Sequence, residues 1–208
     1  MTTLPPEFFR RQDEGPDELF YAVPRPDSHL DAAADAVVTA WYDARLPAEG
    51  RVLDLFAGAR SHLPPRCTDA VGVGLDRGAL DRNEQLAEVH LLDLNERPAL
   101  PFGDASLAAA VCTASVQYLT RPIELLREVG RCLRPGAPFL VVFSNRMYAA
   151  KAVLCWRASD DDAHLRLVRG YLTAAGGFGP VEIVDHHAEG ADPLYLIATT
   201  ADPTVAPS

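Results

Sequence analysis

The chain has 208 residues, 48% of them hydrophobic and 23% charged, which is the size and make-up of one folded domain and excludes a mainly disordered chain. Such a length buries a sizeable core without a disulfide or metal staple. Lys and Arg number 19 against 29 Asp and Glu, and the resulting charge of −10 argues against nucleic acid or an anionic membrane surface as the main partner.

Residues 1–27 are rich in Pro, Asp and Glu and read as an N-terminal arm, with Phe8, Phe9, Leu19, Phe20 and Tyr21 available to pin it to a body spanning residues 28–200. Ser28 and Asp31 form a capping-box-like start to a helix in which Leu30, Ala34, Val37, Val38 and Trp41 follow the helical period, and which the 47–50 segment stops. Short apolar runs at 52–56, 71–75 and 89–92 read as buried strands, with a helix over 77–86 between the second and third. A fourth strand is expected at 107–112. Pro122 then opens a helix that Pro135-Gly136 breaks, and a fifth strand covers 139–143. Helices at 149–157 and 161–175 follow, the second ended by Gly176-Gly177. Strands at 181–184 and 194–199 close the body, and residues 201–208 read as a flexible tail.

Strands alternating with helices predict a doubly wound, Rossmann-like, mostly parallel sheet of seven strands. The last two strands have no helix between them and are expected to form an antiparallel pair. Ligands of such sheets bind outside the C-terminal ends of the strands. Cys67, Cys112, Cys132 and Cys155 show no Cys-x-x-Cys spacing, and the adjacent His186 and His187 point to opposite faces of a strand, so no metal site is expected. No apolar run is long enough to cross a bilayer, and the N-terminus lacks a secretory h-region, so the expectation is a cytoplasmic protein.

The segment Val52-Leu53-Asp54-Leu55-Phe56-Ala57-Gly58 resembles the first strand and turn of class I S-adenosylmethionine-dependent methyltransferases, the type 11 group in particular. Leu133-Arg134-Pro135-Gly136, and Asp93 followed by Leu100-Pro101-Phe102 and Asp104-Ala105-Ser106-Leu107, resemble two further segments of that family in the right order. The chain also departs from the pattern. Phe56 and Arg60 stand where glycines are expected, Gly74 stands where a ribose-binding carboxylate ends the second strand, and Ala108 stands where the fourth strand often begins with Asp.

The resemblance implies a cofactor site for S-adenosylmethionine made by Asp54, Phe56, Ala57, Gly58, Gly74, Leu75, Asp76, Asp93, Leu94 and Ala114. Asp54 would face the cofactor's ammonium or, on a purely structural reading, accept N–H groups of its own turn. Asp93 would accept from the adenine amino group or cap the loop that follows, and Asp76 would replace the missing ribose carboxylate or cap the next helix. Tyr21, Arg25, Gln117 and Arg146 are candidates for the acceptor. His29, Tyr118 and Asn145 are candidate catalytic groups, each with a structural alternative in packing or capping. Methyl transfer to a small molecule is the leading function. The rival is a methyltransferase-fold protein without catalysis that serves as a binding module or as the partner of another subunit; a protein partner or a homodimer is compatible with either reading.

Overall fold

The computed structural model describes residues 5–23, 30–187 and 191–204. Seven strands, β1 (Val52–Leu55), β2 (Ala70–Gly74), β3 (Glu88–Leu91), β4 (Ala109–Thr113), β5 (Pro138–Phe143), β6 (Glu182–His186) and β7 (Leu194–Thr200), form one sheet in the order β3-β2-β1-β4-β5-β7-β6. The first five strands are mutually parallel. β7 runs antiparallel to both β5 and β6, between which it inserts. The doubly wound Rossmann-like fold and its antiparallel C-terminal pair are therefore as the sequence predicts.

Apart from Asp54 in β1 and Thr113 at the end of β4, the central strands are apolar because both faces of the sheet are covered. Leu53, Leu55, Val71, Val73, Cys112, Phe139 and Val141 pack into one core with α4 (Pro122–Cys132) and α6 (Asp161–Ala175). Val52, Ala70, Ala109, Val111, Leu140 and Val142 pack into the other with α2 (Ala32–Asp43). Asp161–Ala175 is bounded as predicted: Asp160 caps the start by accepting from Ala163 N, and Gly176 takes a φ of 72° that a side chain would resist at its end. Cys155 and Trp156 are core residues of α5 (Leu154–Arg157).

Several boundaries differ from the sequence reading. Helix α2 starts at Ala32, with Asp31 as the cap accepting from Ala34 N at 2.8 Å, while Ser28 lies outside the described residues. Strand β1 ends at Leu55, not 56. Helix α3 (Arg77–Arg82) stops four residues early because the Asn83 side chain is drawn away to Gly58 O and Ser61 Oγ. The helix expected over 149–157 shrinks to α5: Val153 N and Leu154 N donate to Gln117 O and Arg10 O, so the chain there is tied to other segments rather than to its own preceding turn.

The arm docks through charge rather than apolar contact alone. Lys151, only 1% exposed, donates to Gly15 O at 2.7 Å and lies 3.0 Å from Asp17 Oδ1, on the short helix α1 (Asp17–Tyr21). Arg11 grips both oxygens of Asp17 at 2.6 and 2.7 Å. Burial alone would raise the Asp17 carboxyl, but Arg11, Lys151 and Asn95 more than offset it and hold it below the ordinary range. No helix among the described residues is long and apolar enough to cross a membrane.

Candidate functional site

A cavity of about 160 Å³ lies over the C-terminal ends of β1, β2 and β4. Its wall includes Asp54, Phe56, Ala57, Gly58, Gly74, Leu75, Asp76, Ala114 and Tyr118, and the arm adds Asp17 and Tyr21. Two strand ends turn sharply here, with φ of 58° at Phe56 and 50° at Ala114. Left-handed backbone at non-glycine residues is sparsely populated and collects at functional sites.

Asp54 is 3% exposed. Burial pushes its carboxyl up to about 7, only partly opposed by a hydrogen bond from Ser61. Ser61 Oγ accepts in turn from Asn83 Nδ2 at 2.8 Å, and the same amide donates to Gly58 O at 2.8 Å. Gln85 accepts from Ser61 N and donates to Leu63 O. These two side chains thus hold a connection between β1 and β2 that has no helix of its own to satisfy its backbone.

The Phe56 turn decides which way the ring faces. Strand alternation would send Phe56 to the same side as Asp54, but its left-handed φ turns the ring onto the cluster that holds Leu55. The ring is half-buried there, with one side on the cavity wall. Phe56→Gly loses part of an aromatic contact but relieves the strained φ. Urea denaturation is expected to show a loss of about 1–2 kcal/mol, well under a full core truncation. An unchanged stability with a gain in ligand affinity would mean that the ring occupies the ligand's space.

Gly74 is required by packing. A Cβ there would stand 2.3 Å from Ala57 O, so the β1 turn crosses where a side chain would be. Asp76 caps α3, Oδ1 accepting from Ala79 N at 3.0 Å, and lines the cavity as well. Gly58 is the converse of Gly74: a Cβ built on it meets nothing within 4 Å.

Asp93, Leu94, Gln117, Asn145 and Arg146 lie off this wall. Asp93 caps the following turn, accepting from Asn95 N and Glu96 N, because the chain reverses immediately after β3. Leu94 is a core residue at 1% exposure. Gln117 is buried and donates to Ala114 O, so it braces the end of β4 from behind. Asn145 is exposed, and Arg146 turns outward to Asp192 at 2.8 Å. Arg25 and His29 lie outside the described residues. Tyr118 is on the wall, its hydroxyl accepting from Tyr148 N at 2.8 Å.

The structure also places Asp17, Arg60, His62, Arg82, Asn95 and Tyr148 on the wall, none of which the sequence reading selected. Among the described residues no group of His, Cys, Asp and Glu has the geometry of a metal site.

Residues 55–141 match a family described as a methyltransferase domain, of type 11. A stretch of 94 residues, 42% of the chain, is 30% identical to the biotin biosynthesis bifunctional protein BioHC of Teredinibacter turnerae and spans 16% of that protein's length. Among solved structures, a methyltransferase of Thermotoga maritima, described as a possible histamine N-methyltransferase, aligns at TM-score 0.58 and 16% identity over 81% of this chain and 88% of its own. Geranyl diphosphate C-methyltransferase of Streptomyces coelicolor, solved with Mg2+, geranyl diphosphate and S-adenosylhomocysteine, aligns at 0.58 and 11% identity over 88% and 96%. At these identities the structural likeness establishes the fold, and the type 11 methyltransferase resemblance rests on the sequence match.

Proposed function

We propose that the protein transfers a methyl group from S-adenosylmethionine to a small molecule. The observation that carries this reading is the strand-end cavity in which a buried carboxylate, Asp54, stands beside a glycine, Gly58, with open space where its side chain would be. That pairing suits a ligand whose cationic, amino-acid end lies close against backbone.

In this reading S-adenosylmethionine supplies an already activated methyl group, and the chain supplies binding, alignment and exclusion of water. Asp54 meets the ammonium. Leu75 and Asp76 flank the nucleoside, with Asp76 in place of the carboxylate that Gly74 cannot carry. Tyr21, Tyr118 and Tyr148 wall the acceptor, and the Lys151 contact keeps the arm seated over it.

Gly74 also favours a second reading, a binding module that has lost catalysis. Isothermal calorimetry with S-adenosylmethionine and S-adenosylhomocysteine tests the first. Saturable binding of both is expected, and no binding of either would overturn the cofactor assignment.

A further inference from the structure

Resting on the methyl-transfer reading, we propose that His62 is the group that takes the acceptor's proton, and that Asp35 is the positioning residue that presents it to the cavity. His62 is the one imidazole on the cavity wall among the described residues. Its ring is nine-tenths buried, and its Nδ1 stands 2.7 Å from Oδ1 of Asp35, itself buried on α2. The carboxylate oxygen is within hydrogen-bonding distance of Nδ1, although Nδ1 completes no hydrogen bond in this structure, so the pair needs only realignment to form one. A carboxylate at Nδ1 selects the tautomer with hydrogen on Nδ1 and leaves the Nε2 lone pair for an incoming proton.

The backbone supports the assignment. His62 has a φ of 56°, left-handed backbone that is uncommon outside glycine although histidine tolerates it better than most, in a segment fixed on both sides by Asn83 and Gln85 through Ser61 and Leu63. The fold therefore holds this ring in place against local preference, as happens where a side chain must be aimed. Arg60 completes the arrangement. Its Nε lies 3.0 Å from the other oxygen of Asp35 and so holds the carboxylate from its second side.

The proton balance is simple. The acceptor's X–H bond breaks, its electron pair stays on X to form the bond to the methyl carbon, and the proton goes to Nε2. The sulfonium keeps the carbon–sulfur pair and leaves as a thioether, and the imidazolium returns its proton to solvent. Asp35 on α2 is the charged group in contact with His62, and the charged residues that share the cavity wall with it are Asp17 from α1, Asp54 from β1, Arg60 from its own segment, and Asp76 and Arg82 from the start and end of α3.

The test is 15N NMR of the histidine ring nitrogens in the full chain between pH 5.5 and 9.5, with and without S-adenosylhomocysteine, for wild type and Asp35→Asn. The His62 signals are assigned by their loss in His62→Gln. The expected result is a neutral ring protonated on Nδ1 in the wild type. Asp35→Asn should mix in the Nε2–H tautomer, because the acceptor that faces Nδ1 is then no longer a carboxylate. Adding S-adenosylhomocysteine should move the Nε2 resonance while leaving the proton on Nδ1. A wild-type ring protonated on Nε2, or one that stays charged through pH 9 in the complex and so pairs with the ligand's carboxylate, would overturn the proposal. If calorimetry shows binding but His62 does not respond, only this inference falls. If nothing binds, the methyl-transfer reading falls and takes the inference with it.

Discussion

Asp54→Asn is expected to make the free protein more stable above pH 7 while making it a poorer binder of S-adenosylhomocysteine. The sign follows from linkage. In the folded chain the carboxyl is held at about 7, against an ordinary value near 4 when unfolded. Between those values the unfolded state has lost its proton and the folded state still carries one. Stability therefore falls as pH rises through this window, and the full cost is present above pH 7. A shift of this size corresponds to a cost on the order of 4 kcal/mol. Asparagine cannot ionise and still accepts from Ser61, so the variant should gain a few kcal/mol over wild type at pH 8 and almost nothing at pH 4, measured by urea denaturation at both.

Binding should move the other way. Losing a charge-assisted contact to the ligand's ammonium costs about 1.5–3 kcal/mol, a tenfold to hundredfold weaker Kd. Wild-type affinity should also tighten as pH rises toward 7, because the ligand requires the ionised carboxylate, and the variant should lack that slope. A variant that loses stability at pH 8 but binds normally would make Asp54 a structural turn residue.

The sheet was legible because its signals are local: apolar runs of strand length, Pro122 at a helix start, Gly176 at a helix end. The part of the site built on β1, β2 and β4 was legible because strand ends are where such sheets bind ligands. What was missed is held by contacts distant in sequence. Asn83 reaches back to Ser61 and Gly58, Asp35 meets His62, and Asp17 comes in from the arm to Lys151 and Asn95. No periodicity reports such pairs. One signal was present: Lys151 is a lone charge within the apolar 147–156 stretch, a pattern that asks for a buried partner. Asp93 and Arg146 are ambiguous for the opposite reason: a polar residue at a strand end can equally cap its own turn, as Asp93 does, or pair with a surface neighbour, as Arg146 does with Asp192.

Gly74 and Gly58 give the sharpest contrast, since each stands where the methyltransferase pattern gives a residue its own role. Restoring the expected carboxylate by Gly74→Asp should not restore a ribose contact. The new Cβ would stand 2.3 Å from Ala57 O and 3.4 Å from Leu80 Cδ2. A main-chain oxygen cannot move aside without displacing the turn that also carries Asp54 and Phe56. Ala57 N donates to Val73 O at 2.8 Å, so that displacement pulls on β2 as well. Gly74→Ala, which adds the Cβ alone, should already cost about 3 kcal/mol by urea denaturation, and Gly74→Asp at least as much. Gly58→Ala meets open space and should keep stability within about 0.5 kcal/mol, while weakening S-adenosylhomocysteine at least tenfold if the ligand's amino-acid end lies against that backbone. The pair separates fold from function. Equal stability losses at both positions would mean that the β1 turn is merely tightly packed, whereas a stable Gly58→Ala with unchanged affinity would place the ligand elsewhere in the cavity.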